Sequence, residues 1–348
     1  MSAPPPTIPA AEIKATALAL GVDLVGIADG GNFENHVPPG SPKKPLQMTE
    51  RDGGRVIVLA KRYMSGTTRI TRWDERHKHY NDELTIDLIE EAALRLVYWL
   101  EERGGAGMVI PPAVANPLSD RTDGSSPAHF SLEHAAVEAG LGTLGLNLQL
   151  LTPEYGPRVI LSGVLCNVDC ETDIPMTAAL CHGPECGRCL STCPGDVVGH
   201  WSRDWAGCDA YRSPHGFEKL TGQMVKILGE PEPDAKLGLI KSEESFHAWM
   251  SILRGAGVTT GCRRCQDVCP VGGDYEPMHK DALDVIPEDT PEKQARLAVM
   301  VDDEKNGTRP PAFDAQRRWI GDPGATKPED ATNAHTGGRG RAAGKGTA

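Results

Sequence analysis

Aromatic residues are scarce: Phe, Tyr and Trp together make up 5% of the 348 positions. The interior must therefore be built mainly from aliphatic side chains. With 39 glycines and 28 prolines, many loops are expected. No apolar run reaches the ~18 residues that would span a bilayer, so no membrane helix is expected. The opening MSAPPPTIPAAEIK has no basic region leading into an apolar stretch and no twin-arginine pair. The expectation is a soluble, cytoplasmic protein with no membrane partner. Positive charge is also in deficit: 36 Lys and Arg against 48 Asp and Glu give a formal net charge of -12. An acidic surface repels a phosphate backbone, which makes nucleic acid an unlikely main partner.

What the chain does have is ten cysteines, all between Cys166 and Cys269. In a long chain without an export signal, metal ligation is a better reading than disulfides. One group, C-H-G-P-E-C-G-R-C-L-S-T-C-P, supplies Cys181, Cys186, Cys189 and Cys193. A second, G-C-R-R-C-Q-D-V-C-P, supplies Cys262, Cys265 and Cys269. Each ends in C-x2-C-x3-C-P, the tail of the bacterial ferredoxin run in which the last cysteine ligates the other cluster. Zinc competes for C-x2-C pairs, but zinc knuckles do not need the C-x3-C-P ending.

Two 4Fe–4S clusters with crossed ligands are therefore expected. One would take Cys181, Cys186, Cys189 and the distant Cys269. The other would take Cys193, Cys208, Cys262 and Cys265, with Cys208 enlisted because the second group is one thiol short. Cys166 and Cys170 remain as buried small side chains, unless Cys170 replaces Cys181, whose spacing to Cys186 is longer than usual.

Upstream, periodicity predicts a helix over Ala11–Leu20, strands in VDLVGIA and in RVIVLA (Arg55–Ala60), and a long helix over Asn81–Arg103. A short strand follows in MVIPPAV, then a polar loop, a helix over Ser131–Ala139 and a strand over Arg158–Leu165. Alternating strands and helices indicate α/β or α+β. The chain divides into a loose arm (1–10), a core (11–165), a double-cluster domain (166–280), a C-terminal wrap (281–320) and a disordered tail (321–348).

Three features together resemble the corrinoid iron–sulfur reductases, the reductive dehalogenases and epoxyqueuosine reductases. They are A-G-L-G-T-L-G-L-N-L-Q-L-L-T-P-E-Y-G-P-R-V (Ala139–Val159), the paired cysteine motifs, and the N-terminal A-L-G-V-D-L-V-G-I-A with the helix ending W-L-E-E-R-G. The resemblance covers about residues 11–275. It implies an α+β fold, a nitroreductase-like α/β core with a ferredoxin-like two-cluster insert, and cobalamin as a further cofactor. Electrons would pass through the clusters to cobalt. Small residues at Gly140, Gly142 and Gly145 would let the backbone approach the corrinoid, with Asn147, Thr152, Glu154 and Tyr155 nearby. The same glycines make a G-x-G-x-x-G, but this one follows a helix rather than a strand, so a dinucleotide site is disfavoured. A helix-ending turn with closely packed backbone is the plain structural reading.

The chain departs from its relatives twice. Leu146 stands where many have a basic residue, and the Asp-Ser/Thr-Ala-Pro motif of epoxyqueuosine reductases, whose Asp is thought to donate the proton, is replaced by D-G-S-S-P-A-H-F-S-L-E-H. Together with the charge, this points to a reductive-dehalogenase-like reductase of a small molecule, served by an external donor such as ferredoxin or flavodoxin. A non-catalytic electron carrier and a tRNA-modifying epoxyqueuosine reductase are the alternatives. Candidate proton donors are His129, Tyr80 and Asp123, with His134 and Tyr63 behind them; Tyr80 follows R-H-K-H, a run that reads as a solvated face.

Overall fold

The run RVIVLAKR is the centre of the fold. In a computed structural model, which describes residues 4–39, 54–70, 75–112, 130–212, 217–254, 261–282 and 288–322, it is one of four strands in the main sheet. These are β1 (Leu24–Asp29), β2 (Arg55–Arg62), β3 (Gly107–Ile110) and β6 (Val159–Cys166), in the order β1-β2-β6-β3. Between β3 and β6 lie the two-residue strands β4 (Thr143–Leu144) and β5 (Leu150–Leu151), which form a separate hairpin. Every pairing in the main sheet is antiparallel, so the class is α+β.

Both faces of this sheet are covered, which is why the strands read as nearly continuous apolar runs. Val25, Ile27, Ile57, Leu59, Ile160 and Val164 face one way. They pack on α1 (Ala10–Ala19) and the long helix α2 (Glu75–Glu101) through Ile13, Ile89, Ala93, Leu96 and Leu100. Leu24, Val56, Val58, Leu161 and Leu165 face the other way, onto α3 (Leu132–Glu138). A late helix, Pro311–Ile320, brings Trp319 and Ile320 to that second face.

Two expectations are corrected. Residues 4–9 are not loose: Ile8 N donates to Asp169 O at 3.0 Å and Asp169 N to Pro6 O at 2.9 Å, and Ile8 is buried. The run R-H-K-H is not a solvated face, because α2 begins at Glu75, before it, and buries Lys78, His79 and Asp82. Lys78 pairs with Asp267, and Arg263 Nε lies 3.0 Å from Asp82 Oδ2. Polar residues here face a buried ionic cluster behind the second cysteine group, a tertiary effect that helical periodicity does not register. Burial raises the Asp82 carboxyl to about 7 against the pull of Arg263.

His134 is a packing residue rather than a proton donor. Its ring lies between Ser131 Oγ (2.6 Å from Nδ1) and Gln316 Oε1 (2.7 Å from Nε2), and meets Trp319 edge-on. The Gln oxygen only accepts, so Nε2 carries the proton and Nδ1 accepts from the serine. Burial lowers the imidazole to about 4. A folded pKa below the unfolded one means that the unfolded chain takes up the proton first. The stabilisation is full above the unfolded value of about 6.5 and is lost as pH falls towards 4. The stability difference between wild type and His134→Gln, measured by urea denaturation, is expected to narrow by about 1–3 kcal/mol between about pH 7 and pH 4.5. A difference independent of pH would contradict this.

Candidate iron–sulfur site

The C-x3-C-P endings are short helical turns: α4 (Arg188–Ser191) carries Cys189, and the turn Arg264–Asp267 carries Cys265. Between them the chain forms a hairpin, β7 (Val198–Gly199) with β8 (Ser202–Arg203), and α5 (Trp205–Arg212), which carries Cys208. Three helices follow: α6 (Phe217–Gly229), α7 (Pro233–Ile240) and α8 (Glu243–Arg254). The excursion from Cys208 to Cys262 is thus mostly helical.

This folding places eight thiols around two cavities. Cys181, Cys186, Cys189 and Cys269 line the first, together with Cys265 and the β4–β5 hairpin residues Gly145, Leu146 and Asn147. Cys193, Cys208, Cys262 and Cys265 line the second, together with Arg203. Neither Cys166 nor Cys170 lines either cavity. Both are buried in the core beneath the sheet, where burial pushes the Cys170 thiol up to about 11.

The donor set fits an iron–sulfur cluster on three counts. As free thiols, Cys262 and Cys269 are pushed up to about 12 and Cys265 to about 11, chiefly by burial, with Cys181 and Cys189 also raised. Such sulfurs become thiolates only beside strong positive charge, which iron supplies. Among the described residues, no three His, Cys, Asp or Glu side chains converge on a single ion position. Tetrahedral zinc would require sulfurs about 2.3 Å from one point. Finally, donors already point at the sulfurs. Leu146 N and Gly183 N reach Cys181 Sγ at 3.4 and 3.3 Å, Val197 N reaches Cys193 Sγ at 3.5 Å, and Arg203 Nη2 reaches Cys208 Sγ at 2.7 Å. At position 146 this chain presents its backbone amide to a cysteine and buries the leucine.

The glycine segment is explained by the protein's own backbone. Gly140, at φ +72°, ends α3: its N–H bonds Val137 O, and Leu141 N bonds Ala136 O, the pattern of a left-handed helix cap. A Cβ on Gly142 would lie 1.8 Å from Leu151 O. These two glycines therefore leave no cradle for a corrinoid. Gly145 opens the β4–β5 turn by accepting from Leu148 N, and Asn147 is buried in that turn.

The next segment, T-P-E-Y-G-P-R-V, seats the second cysteine group. Thr152 Oγ1 accepts from Tyr155 N and closes a turn. Pro153 O and Glu154 O accept from Gly273 N and Asp274 N. Arg158 Nη1 donates to Cys269 O at 2.7 Å, and its Nε and Nη2 grip Asp274 at 3.0 and 2.6 Å. Glu154 alone has an unmet need: both carboxylate oxygens are buried without a hydrogen-bond partner, and burial raises the group to about 7. A corrinoid, whose rim carries primary amides, has the donors this carboxylate lacks. Glu154 is thus the residue of this segment that such amides would satisfy, although it lines neither cavity.

Tyr80 is 41% exposed on α2 and lines neither cavity. Tyr63 stacks beneath Arg263, whose guanidinium lies 3.9 Å from the ring centroid. Asp123 and His129 lie outside the described residues. Sequence reasoning missed Lys293, on the helix α9 (Pro291–Lys305), whose buried Nζ donates to Ser191 O and Cys193 O at 2.9 and 2.8 Å. A lone lysine on a charged helix carries no signal for this.

No family model matches the chain. Among curated proteins it is 31% identical over 293 residues to an epoxyqueuosine reductase of Gloeobacter violaceus, covering 75% of each chain. It is also 31% identical over 154 residues to an epoxyqueuosine reductase of Listeria monocytogenes, where the match spans 32% of that protein. Solved structures similar in fold include a B12-dependent reductive dehalogenase (TM-score 0.48, 18% identity, 89% of this chain and 37% of that one). Another is an epoxyqueuosine reductase with an epoxyqueuosine-modified tRNA stem loop (TM-score 0.42, 19% identity, 81% and 68%).

The curated matches overturn two expectations. The dehalogenase-like reading gives way to its alternative, and nucleic acid can no longer be set aside as a partner on the ground of net charge. Among the described residues, no helix is long and apolar enough to cross a membrane. On a match of this identity and coverage, the chain belongs to the epoxyqueuosine reductase family.

Proposed function

We propose that the chain is an iron–sulfur, cobalamin-dependent reductase that acts on epoxyqueuosine in tRNA. The observation that carries this reading is the gathering of eight thiols around two cavities, with Cys265 lining both, within a chain of this family. Cys181, Cys186, Cys189 and Cys269 hold one cluster, and Cys193, Cys208, Cys262 and Cys265 the other. The clusters supply single electrons, and the corrinoid supplies a strongly nucleophilic reduced metal.

Removing an epoxide oxygen as water takes two electrons and two protons. The eight cysteines position the electron carriers. Arg158 and the 152–156 turn fix the loop that bears Cys269, and Glu154 would accept from amides of a bound corrinoid. Proton delivery falls to the 123–129 stretch, with His129 and Asp123 as the donors.

The direct test uses anaerobically reconstituted, reduced protein with epoxyqueuosine-bearing tRNA, followed by nucleoside mass analysis. The modified nucleoside is expected to lose one oxygen. An unchanged nucleoside with fully loaded protein would leave the chain an electron carrier. Glu154→Leu has two expected readouts. Stability of the cobalamin-free protein at about pH 8 rises or stays level, because a buried unpaired carboxylate is gone. Retention of cobalamin through gel filtration falls. Unchanged retention would remove Glu154 from the corrinoid site.

A further inference from the structure

The second cavity contains a charged group that the fold alone does not explain. Arg203 lies at the end of the β7–β8 hairpin and lines the cavity with Cys193, Cys208, Cys262 and Cys265. Nη2 donates to Cys208 Sγ at 2.7 Å. Nε and Nη1 are buried with no hydrogen-bond partner. The guanidinium is covered by the Trp205 ring at 4.4 Å, and the Glu133 carboxylate acts on it electrostatically without hydrogen-bonding to Nε or Nη1. A guanidinium has five donors in a rigid fork, and burying its charge without a hydrogen-bonded anion is strongly unfavourable.

Among the described residues that line it, the first cavity has no such unspent guanidinium. Its arginine, Arg188, donates Nε to Val268 O and Nη2 to Tyr275 Oη, both at 3.0 Å. The asymmetry between the cavities is therefore electrostatic, although both offer four thiols.

A cubane held by four thiolates is an anion, and it gains one more negative charge on reduction. Hydrogen bonds to its sulfurs and nearby charge set its potential. We propose that Arg203 is a positioning residue for electron transfer: its unpaired N–H groups donate to sulfurs of the second cluster and raise that cluster's potential. The step concerned is the transfer of one electron from an external reductant to the cluster, with no bond made or broken. The proposal rests on the reading that these four cysteines hold a cluster, and iron content tests that reading separately.

The experiment is an EPR-monitored potentiometric titration of anaerobically reconstituted wild type, Arg203→Gln and Arg203→Lys, each with iron analysis. In Arg203→Gln, one of two signals should show about a tenfold lower reduced-to-oxidised ratio at fixed potential, equivalent to about 59 mV for a one-electron couple. The other signal should not move. Arg203→Lys, which keeps the charge but not the fork, should shift the same signal less. Unchanged midpoints with about eight irons per chain would overturn the proposal. If Arg203→Gln loses the cluster, Arg203→Lys decides. A shifted midpoint supports the proposal; an unshifted one, or loss of the cluster there too, makes Arg203 an assembly residue and overturns it. Wild type with only about four irons would instead refute the two-cluster reading and the proposal with it.

Discussion

Replacing Cys269 with serine is expected to strip the cluster of the first cavity, leaving that of its own neighbours Cys262 and Cys265 in place. Cys193→Ser should do the reverse, stripping the second cavity while Cys181, Cys186 and Cys189 keep theirs. The reason is geometric. In each group a short helical turn carries the cysteine before the last, and the last cysteine, beyond the turn, lines a cavity with members of the other group. Cys269 thus lines a cavity with Cys181, and Cys193 lines one with Cys262. Each single variant should fall from about eight irons per chain to about four and lose a different EPR signal. Both should lose reductase turnover, because a broken relay delivers no electrons. Loss of the same signal from both variants would contradict the crossed assignment.

Arg158→Met is expected to be the most damaging change outside the cysteines. Arg158 is buried and clamps the loop after Cys269, giving hydrogen bonds to Cys269 O, Val271 O and both oxygens of Asp274. Burial alone would raise the Asp274 carboxyl, but the bonds from Arg158 and His279 outweigh it and hold the group below the ordinary range. Removing the guanidinium leaves two carbonyls buried without this donor and the carboxylate with His279 alone. Breaking a buried pair from one side costs about 3–5 kcal/mol. The loss should appear in chemical denaturation of the loaded protein, together with weaker iron retention in the first cavity. Arg158→Lys should recover only part of it, since an ammonium cannot fork between a carboxylate and two carbonyls. A change under about 1 kcal/mol would show that the loop is held by other means.

The legible parts of this protein are those governed by local spacing. The C-x2-C-x3-C-P endings point to two groups of thiols that the fold brings around two cavities, Cys265 lining both, with the isolated Cys208, reached only by counting, in the second. Period-two and period-3.6 patterns locate the sheet strands and α1–α3 to within a few residues, apart from the polar start of α2. Tertiary pairing is not legible. The R-H-K-H run looks solvent-facing because nothing in the sequence near it announces Asp267 or Arg263, almost two hundred residues later. The T-P-E-Y-G-P-R-V segment resembles a cofactor motif. Much of it, however, serves to hold the loop after Cys269, a role visible only once Arg158 and Asp274 are brought together. Arg203 and Lys293 are likewise ordinary charged residues until the fold buries them against the cysteine loops. The expectation about nucleic acid failed for a related reason. Net charge is a sum over the whole surface, whereas recognition depends on the charges at one site.

The central claim is that one chain carries two crossed cubanes feeding a reduction. Quantifying iron, sulfide and zinc in the anaerobically reconstituted protein, with EPR of the reduced state, tests it most directly. About eight irons, a matching amount of sulfide and two distinguishable signals per chain are predicted. About four irons with a single signal, or zinc in place of iron and no sulfide, would contradict it.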